Sequence, residues 1–217
     1  MNREPIATGE YYHIYNRGVD KRHIFTDKAD VERFLLSMKV FNSIAPIFSI
    51  RDVLESMEKE RGTTAKKKLV EFVAYCLNPN HYHFILRQLV NGGIAEFMKR
   101  LNGGYTWYFN KRHDRNGALL QGRYKSRLIF NNYKLLELSV YVNINNKVHK
   151  ISGDSAKLVR SSWAEYIEGV KGICQKGIVM KQFKNSADYN RYAKEVLLLL
   201  HERKADEKEL KILMHEE

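Results

Sequence analysis

The segment from Leu69 to Arg87 constrains this chain most. Leu69-Val-Glu-Phe-Val-Ala-Tyr-Cys-Leu77 is an apolar run, Asn78-Pro79-Asn80 reads as a turn, and Tyr82-His-Phe-Ile-Leu-Arg87 returns, so the stretch predicts a β-hairpin. Side chains alternate across a strand, which puts His81 and His83 on the same face just after the turn. Two neutral imidazoles on one face make half of a divalent-metal site. A pair of surface histidines fits the spacing equally well. The pattern gains meaning only with partners elsewhere in the chain.

Candidate partners lie downstream. From Tyr133 to His149 the spacing is helical, with Leu135, Leu138 and Val142 as one apolar stripe. Tyr141 and Asn145 stand four apart on a neighbouring stripe, which sets a phenol beside a carboxamide. Tyrosine is a poor nucleophile at neutral pH because its pKa is near ~10. A metal that polarises a phosphodiester, with basic side chains around it, favours attack by the phenolate. An ordinary half-buried tyrosine on an amphipathic helix has the same spacing.

A coarse pass predicts an α+β chain. Glu10–Tyr15 reads as a first strand. Thr26 or Asp27 caps a helix to about Asn42, with Val31, Phe34, Leu35 and Met38 as its buried stripe. A charged helical insertion over residues 46–68 precedes the hairpin. A second helix starts near Ile94, kinked or interrupted by Asn102-Gly-Gly104, and a strand over residues 124–130 leads to the Tyr141 helix. This βαββαβα order is that of a ferredoxin-like antiparallel sheet with helices on one face. Residues 1–150 form that domain. Residues 151–217 form a helical extension whose role the sequence leaves open.

Net charge is +12, and residues 1–150 carry 25 Lys/Arg against 14 Asp/Glu, so the excess sits with the candidate site. Such an excess suits a phosphate-backbone partner. Arg123, Lys125 and Arg127 alternate in an extended run and project from one face. Arg112 and Arg115, beside the aromatic group 105–109, are candidates for nucleic-acid contact, and Trp107 is expected in the core. No stretch reaches the ~20 apolar residues that span a bilayer, and the two cysteines form no metal pattern, so a reduced cytoplasmic protein is expected.

Four stretches come in a telling order: Tyr12-His-Ile-Tyr-Asn-Arg-Gly18, Leu77-Asn-Pro-Asn-His-Tyr-His-Phe-Ile85, Gln121-Gly-Arg-Tyr-Lys-Ser126 and Tyr141-Val-Asn-Ile-Asn145. Together they resemble the single-tyrosine HUH transposases, in particular the REP-associated tyrosine transposase branch. The resemblance covers about residues 8–150, with a fainter echo at Ser161–Tyr166. Asn78 stands where that family usually has Met. Asn146 stands where it has Pro, so the helix is free to run on toward Val148.

The resemblance implies an enzyme, a metal-dependent DNA strand transferase. Tyr141 would be the nucleophile, and His81, His83 and Asn145 would hold Mg²⁺ or Mn²⁺. Single-stranded DNA beside a hairpin would be cut and rejoined through a 5′-phosphotyrosine. Arg17, in the first motif, joins Arg112, Arg115, Arg123, Lys125 and Arg127 as the expected DNA-binding set. The protein would be nucleoid-associated and would act as a monomer or homodimer. Two other classes share parts of this pattern. A non-catalytic single-strand binder on the same fold would bind without forming an adduct. A metal hydrolase would turn over without needing Tyr141.

Overall fold

Short apolar runs bounded by turn residues become the strands of one sheet. In the computed structural model, which describes residues 6–47, 50 and 67–213, β1 spans Tyr11–Arg17, β2 Val70–Asn78, β3 His81–Gln88, β4 Lys125–Leu128 and β5 Arg160–Ser161. Their order is β4-β1-β3-β2-β5, and each pairing of neighbours is antiparallel. Helices α1 (Lys28–Val40), α2 (Gly93–Arg112) and α3 (Asn132–Asn143) alternate with the strands, giving the expected α+β class and βαββαβα order. The insertion expected over residues 46–68 lies almost wholly outside the described residues.

One face of the sheet carries α1 and α2. The Asp27 carboxylate caps α1 by accepting from the Asp30 N–H at 3.1 Å. Val31, Phe34 and Met38 are buried there, with Leu35 only half-buried. They meet Tyr82, Phe84 and Leu86 of β3 and Phe97, Leu101 and Tyr105 of α2. The glycine pair does not interrupt α2, which runs unbroken for 20 residues. A Cβ on Gly104 would stand 2.8 Å from the Phe41 ring, so the glycine lets the chain after α1 approach closely rather than breaking the helix. Trp107 is also placed differently from expectation. It is 63% exposed on the outer face of α2, with Lys111 Nζ 5.2 Å over its ring.

The opposite face is covered as well, by α3 and by the C-terminal extension of α5 (Gly153–Leu158), α6 (Trp163–Ile167), α7 (Gly177–Met180) and α8 (Ser186–Leu213). Here Val73, Cys76 and Ile85 of the sheet pack with Leu135, Val140 and Val142 of α3 and with Tyr166, Tyr189 and Val196 of the extension. A buried polar knot ties the layers together. The Asn143 Nδ2 donates to the Tyr189 hydroxyl at 3.0 Å, and the Ser139 hydroxyl lies 3.1 Å from the same oxygen. The Ser162 hydroxyl donates to Asn143 Oδ1 at 2.5 Å. The extension also lies along the outer edge of β2, where Ser162 N donates to Tyr75 O and Gln175 N to Phe72 O. Among the described residues, no helix is long and apolar enough to cross a membrane.

Candidate active site

The turn of the hairpin is held before any side chain acts. Pro79 O accepts from Ile24 N and Phe25 N, and Asn80 O accepts from Gly18 N at 2.8 Å. Gly18 must lack a side chain, because a Cβ would stand 2.2 Å from Arg22 O. Alternation along β3 then does what the sequence predicts. Tyr82 points into the α1/α2 core, while His81 and His83 share the other face with their rings 5.2 Å apart.

Each imidazole has a partner that fixes its orientation. His81 Nδ1 lies 2.6 Å from Asn80 Oδ1, an atom that can only accept, so Nδ1 carries the proton and Nε2 is bare. His83 Nδ1 lies 2.9 Å from His13 Nε2, and both rings are buried. Burial is the main reason that His83 ionises well below its usual range, with His13, His81 and His149 adding to it. Burial, with Arg127 and Lys134 nearby, brings His13 down to about 4. Both rings are therefore neutral at pH 7, the form that binds metals.

The Tyr141 helix crosses this face. It ends at Asn143, because Ile144 leaves helical geometry at φ −116° and ψ 23°, and a short α4 (Asn145–Val148) resumes. The missing Pro thus gives a bent continuation toward Val148 that brings His149 within 5.1 Å of the His81 ring. Tyr141 meets His83 edge-on at 5.5 Å between ring centres. Burial raises its hydroxyl above the ordinary value, and the Asn145 amide partly offsets this. Buried Asn145 Nδ2 makes no hydrogen bond of normal geometry. Its Oδ1 lies 3.0 Å from bare His81 Nε2.

Among the described residues, no three His, Cys, Asp or Glu side chains converge as a metal centre. The further protein donor beside the imidazoles is a carboxamide, the Asn145 oxygen. The donor set of imidazole nitrogen and amide oxygen is compatible with a borderline or hard divalent cation.

A family model described as "Transposase IS200 like" matches residues 8–145, a span that holds Tyr141, both histidines and Asn145. The chain belongs to the IS200-like transposase family. No curated protein sequence matches it. A solved REP-associated tyrosine transposase bound to a REP hairpin is similar at 15% identity, over 80% of this chain and 88% of that one, with a TM-score of 0.46. That likeness is too slight to bear on chemistry.

The basic residues of this transposase divide by place. Arg17 hydrogen-bonds Gln121 and, with Lys125, lines a cavity of about 490 Å³ that reaches His81, His83 and Tyr141. Arg127 lines a second cavity of about 900 Å³ on the other side of Tyr141, together with Lys134 and the exposed Phe130. Lys125 and Arg127 pair in register with Tyr15 and His13, which sets them on the site face of β4. Arg123 does not join them. Gly122 turns the chain at φ 64° and β4 begins only at Lys125, so Arg123 lines a separate cavity with Lys99 and Asn102. Arg112 is engaged by Asp27 and buried Asp30, and Arg115 by Asn110, both away from Tyr141. His13, Tyr15 and His149 are the site residues the sequence reading did not single out. Register would have found the first two, since Tyr15 faces His83 across β1 and β3, with His13 two residues before it.

Proposed function

We propose that this transposase cleaves and rejoins single-stranded DNA through a 5′-phosphotyrosine at Tyr141, with His81, His83 and Asn145 holding one Mg²⁺ or Mn²⁺. The supporting observation is a single juxtaposition. Tyr141 lies against His83 while Asn145, one helical turn on, sets its oxygen beside the bare nitrogen of His81. When bound, the cation would polarise the scissile phosphate.

The chain's own groups do the rest. Asn80 and His13 orient the two imidazoles. Arg17, Lys125 and Arg127 hold phosphates on either side of the tyrosine. The Tyr141 oxygen bonds to phosphorus as the bond from phosphorus to the 3′ oxygen breaks. The phenolic proton leaves to solvent, and the departing oxygen takes one up as a 3′-hydroxyl. Attack by another 3′-hydroxyl reverses the step and joins strands, and because the ester bond is exchanged rather than hydrolysed, no nucleotide triphosphate is consumed. The substrate expected from the motifs is a single strand beside a hairpin stem. The work would be done beside the nucleoid.

The test is incubation with Mn²⁺ and labelled hairpin oligonucleotides drawn from repeats flanking the gene, alongside Tyr141→Phe. A metal-dependent protein–DNA band lost in the variant supports the reading. Specific binding by both proteins without any band would leave a non-catalytic binder instead.

A further inference from the structure

The strongest unexplained feature of the site is Asn78, the residue that departs from the family's usual Met. It is fully buried at the end of β2, and its Nδ2 lies 2.7 Å from Asn145 Oδ1 and 2.8 Å from His81 Nε2. Those two atoms are themselves 3.0 Å apart. Three polar atoms in mutual contact cannot alternate donor and acceptor around a triangle, so at least one edge pairs like with like. Here the like pair is the bare His81 nitrogen and the Asn145 oxygen, both acceptors. Turning the Asn145 amide does not relieve this, because its nitrogen would then face that of Asn78.

A shared cation removes the conflict if the Asn78 amide turns about its terminal bond. Its oxygen then takes the place of Nδ2, and its NH2 faces Cys76 Sγ, now 3.6 Å from Asn78 Oδ1 and able to accept weakly. The triangle becomes three lone-pair donors. Its edges are close to the about 3.0 Å separating neighbouring ligands of an octahedral cation at about 2.1 Å.

Building on the proposed metal-dependent reaction, we infer that Asn78 is a further ligand of this chain's divalent cation. In the metal-free protein its amide serves as a stand-in, hydrogen-bonding the two ligands that a cation would otherwise bridge. The site is then richer in oxygen than two imidazoles and one amide would make it, which favours Mn²⁺ or Mg²⁺ over softer metals.

The experiment is Mn²⁺ binding to the full chain by calorimetry and by the loss of free-ion electron paramagnetic resonance signal, with circular dichroism to check folding. Asn78→Met is expected to weaken binding by at least roughly tenfold. Asn78→Asp, which presents oxygen whichever way it turns, is expected to tighten it and guards against a poorly folded Met variant. If Asn78 only competes with the cation, Asn78→Met tightens binding instead, and that result, or unchanged affinity in both variants, overturns the inference. Wild-type protein that binds no Mn²⁺ would overturn the metal-dependent reaction as well, which separates the two failures.

Discussion

Tyr141 and His83 meet edge-on within one chain, their ring centres 5.5 Å apart. The proposed nucleophile and the imidazole it faces would therefore need no second protomer to find each other. Mixing Tyr141→Phe with His81→Ala should restore no covalent adduct above the level of either variant alone. Recovery of a substantial fraction of wild-type adduct in the mixture would mean that the tyrosine serves a partner's histidines.

Asn80 fixes which nitrogen of His81 is bare. Asn80→Ala releases that constraint without touching a proposed ligand, and losses of this kind cost roughly 10- to 100-fold in metal affinity. Calorimetric titration with Mn²⁺ reads this directly. Affinity within twofold of wild type would show that the orientation of His81 is set by other contacts.

Burial and nearby cations hold His13 near 4, against about 6.5 in an unfolded chain. Between those values the unfolded state binds a proton that the folded state refuses. Stability is therefore fully present above pH 6.5 and falls as pH drops toward 4, by roughly 3 kcal/mol from this residue. Urea midpoints at pH 7.5 and 4.5 should separate more in the metal-free wild type than in His13→Gln. Equal separation would remove His13 as the cause.

Two arginines should behave as opposites. Arg127 makes no ion pair among the described residues and lines the cavity beside Tyr141, so Arg127→Ala should lower the salt dependence of single-strand binding by about one phosphate contact. Arg112 is spent on Asp27 and Asp30. Arg112→Ala should lower the thermal midpoint and leave the salt slope alone. A changed slope in Arg112→Ala would mean that the ion pairs open to take DNA.

Tyr189 anchors the extension to α3. Tyr189→Phe leaves buried Asn143 Nδ2 without its acceptor, a loss of about 1–3 kcal/mol. Urea unfolding followed by fluorescence measures it, and no loss would show that the knot re-forms around Ser162.

Much of this architecture could be read from residue order alone. Alternation is a strict period, so the shared face of His81 and His83 followed from counting. The adjacency of Tyr141 and Asn145 across one helical turn was legible too, although the bend at Ile144 was not, because it depends on how the helix meets the sheet. The glycine pair misled because Gly104 answers to Phe41, 63 positions away, and local propensity carries no record of such a neighbour. Trp107 misled for the same reason, since the stripe of α2 that is buried depends on where α1 lies. Alternation also promised too much for Arg123, because the strand that would have aligned it with Lys125 starts two residues later. His13 was visible as part of a motif, but its role required a register that only the folded sheet provides.

The outer margin of β2 is sealed one group at a time. The Asn42 amide serves the N–H and C=O of Val70, Gln175 N takes Phe72 O, Ser162 takes both groups of Tyr75, and β5 pairs with Leu77. Long exposed strand margins are templates on which foreign chains polymerise. Along these residues little is left to template, since most of the sealing comes from residues 160–175. Shortening the chain before Arg160 would uncover the outer margin of β2 from Phe72 to Leu77 and leave a row of unpaired backbone groups on which a second sheet can dock.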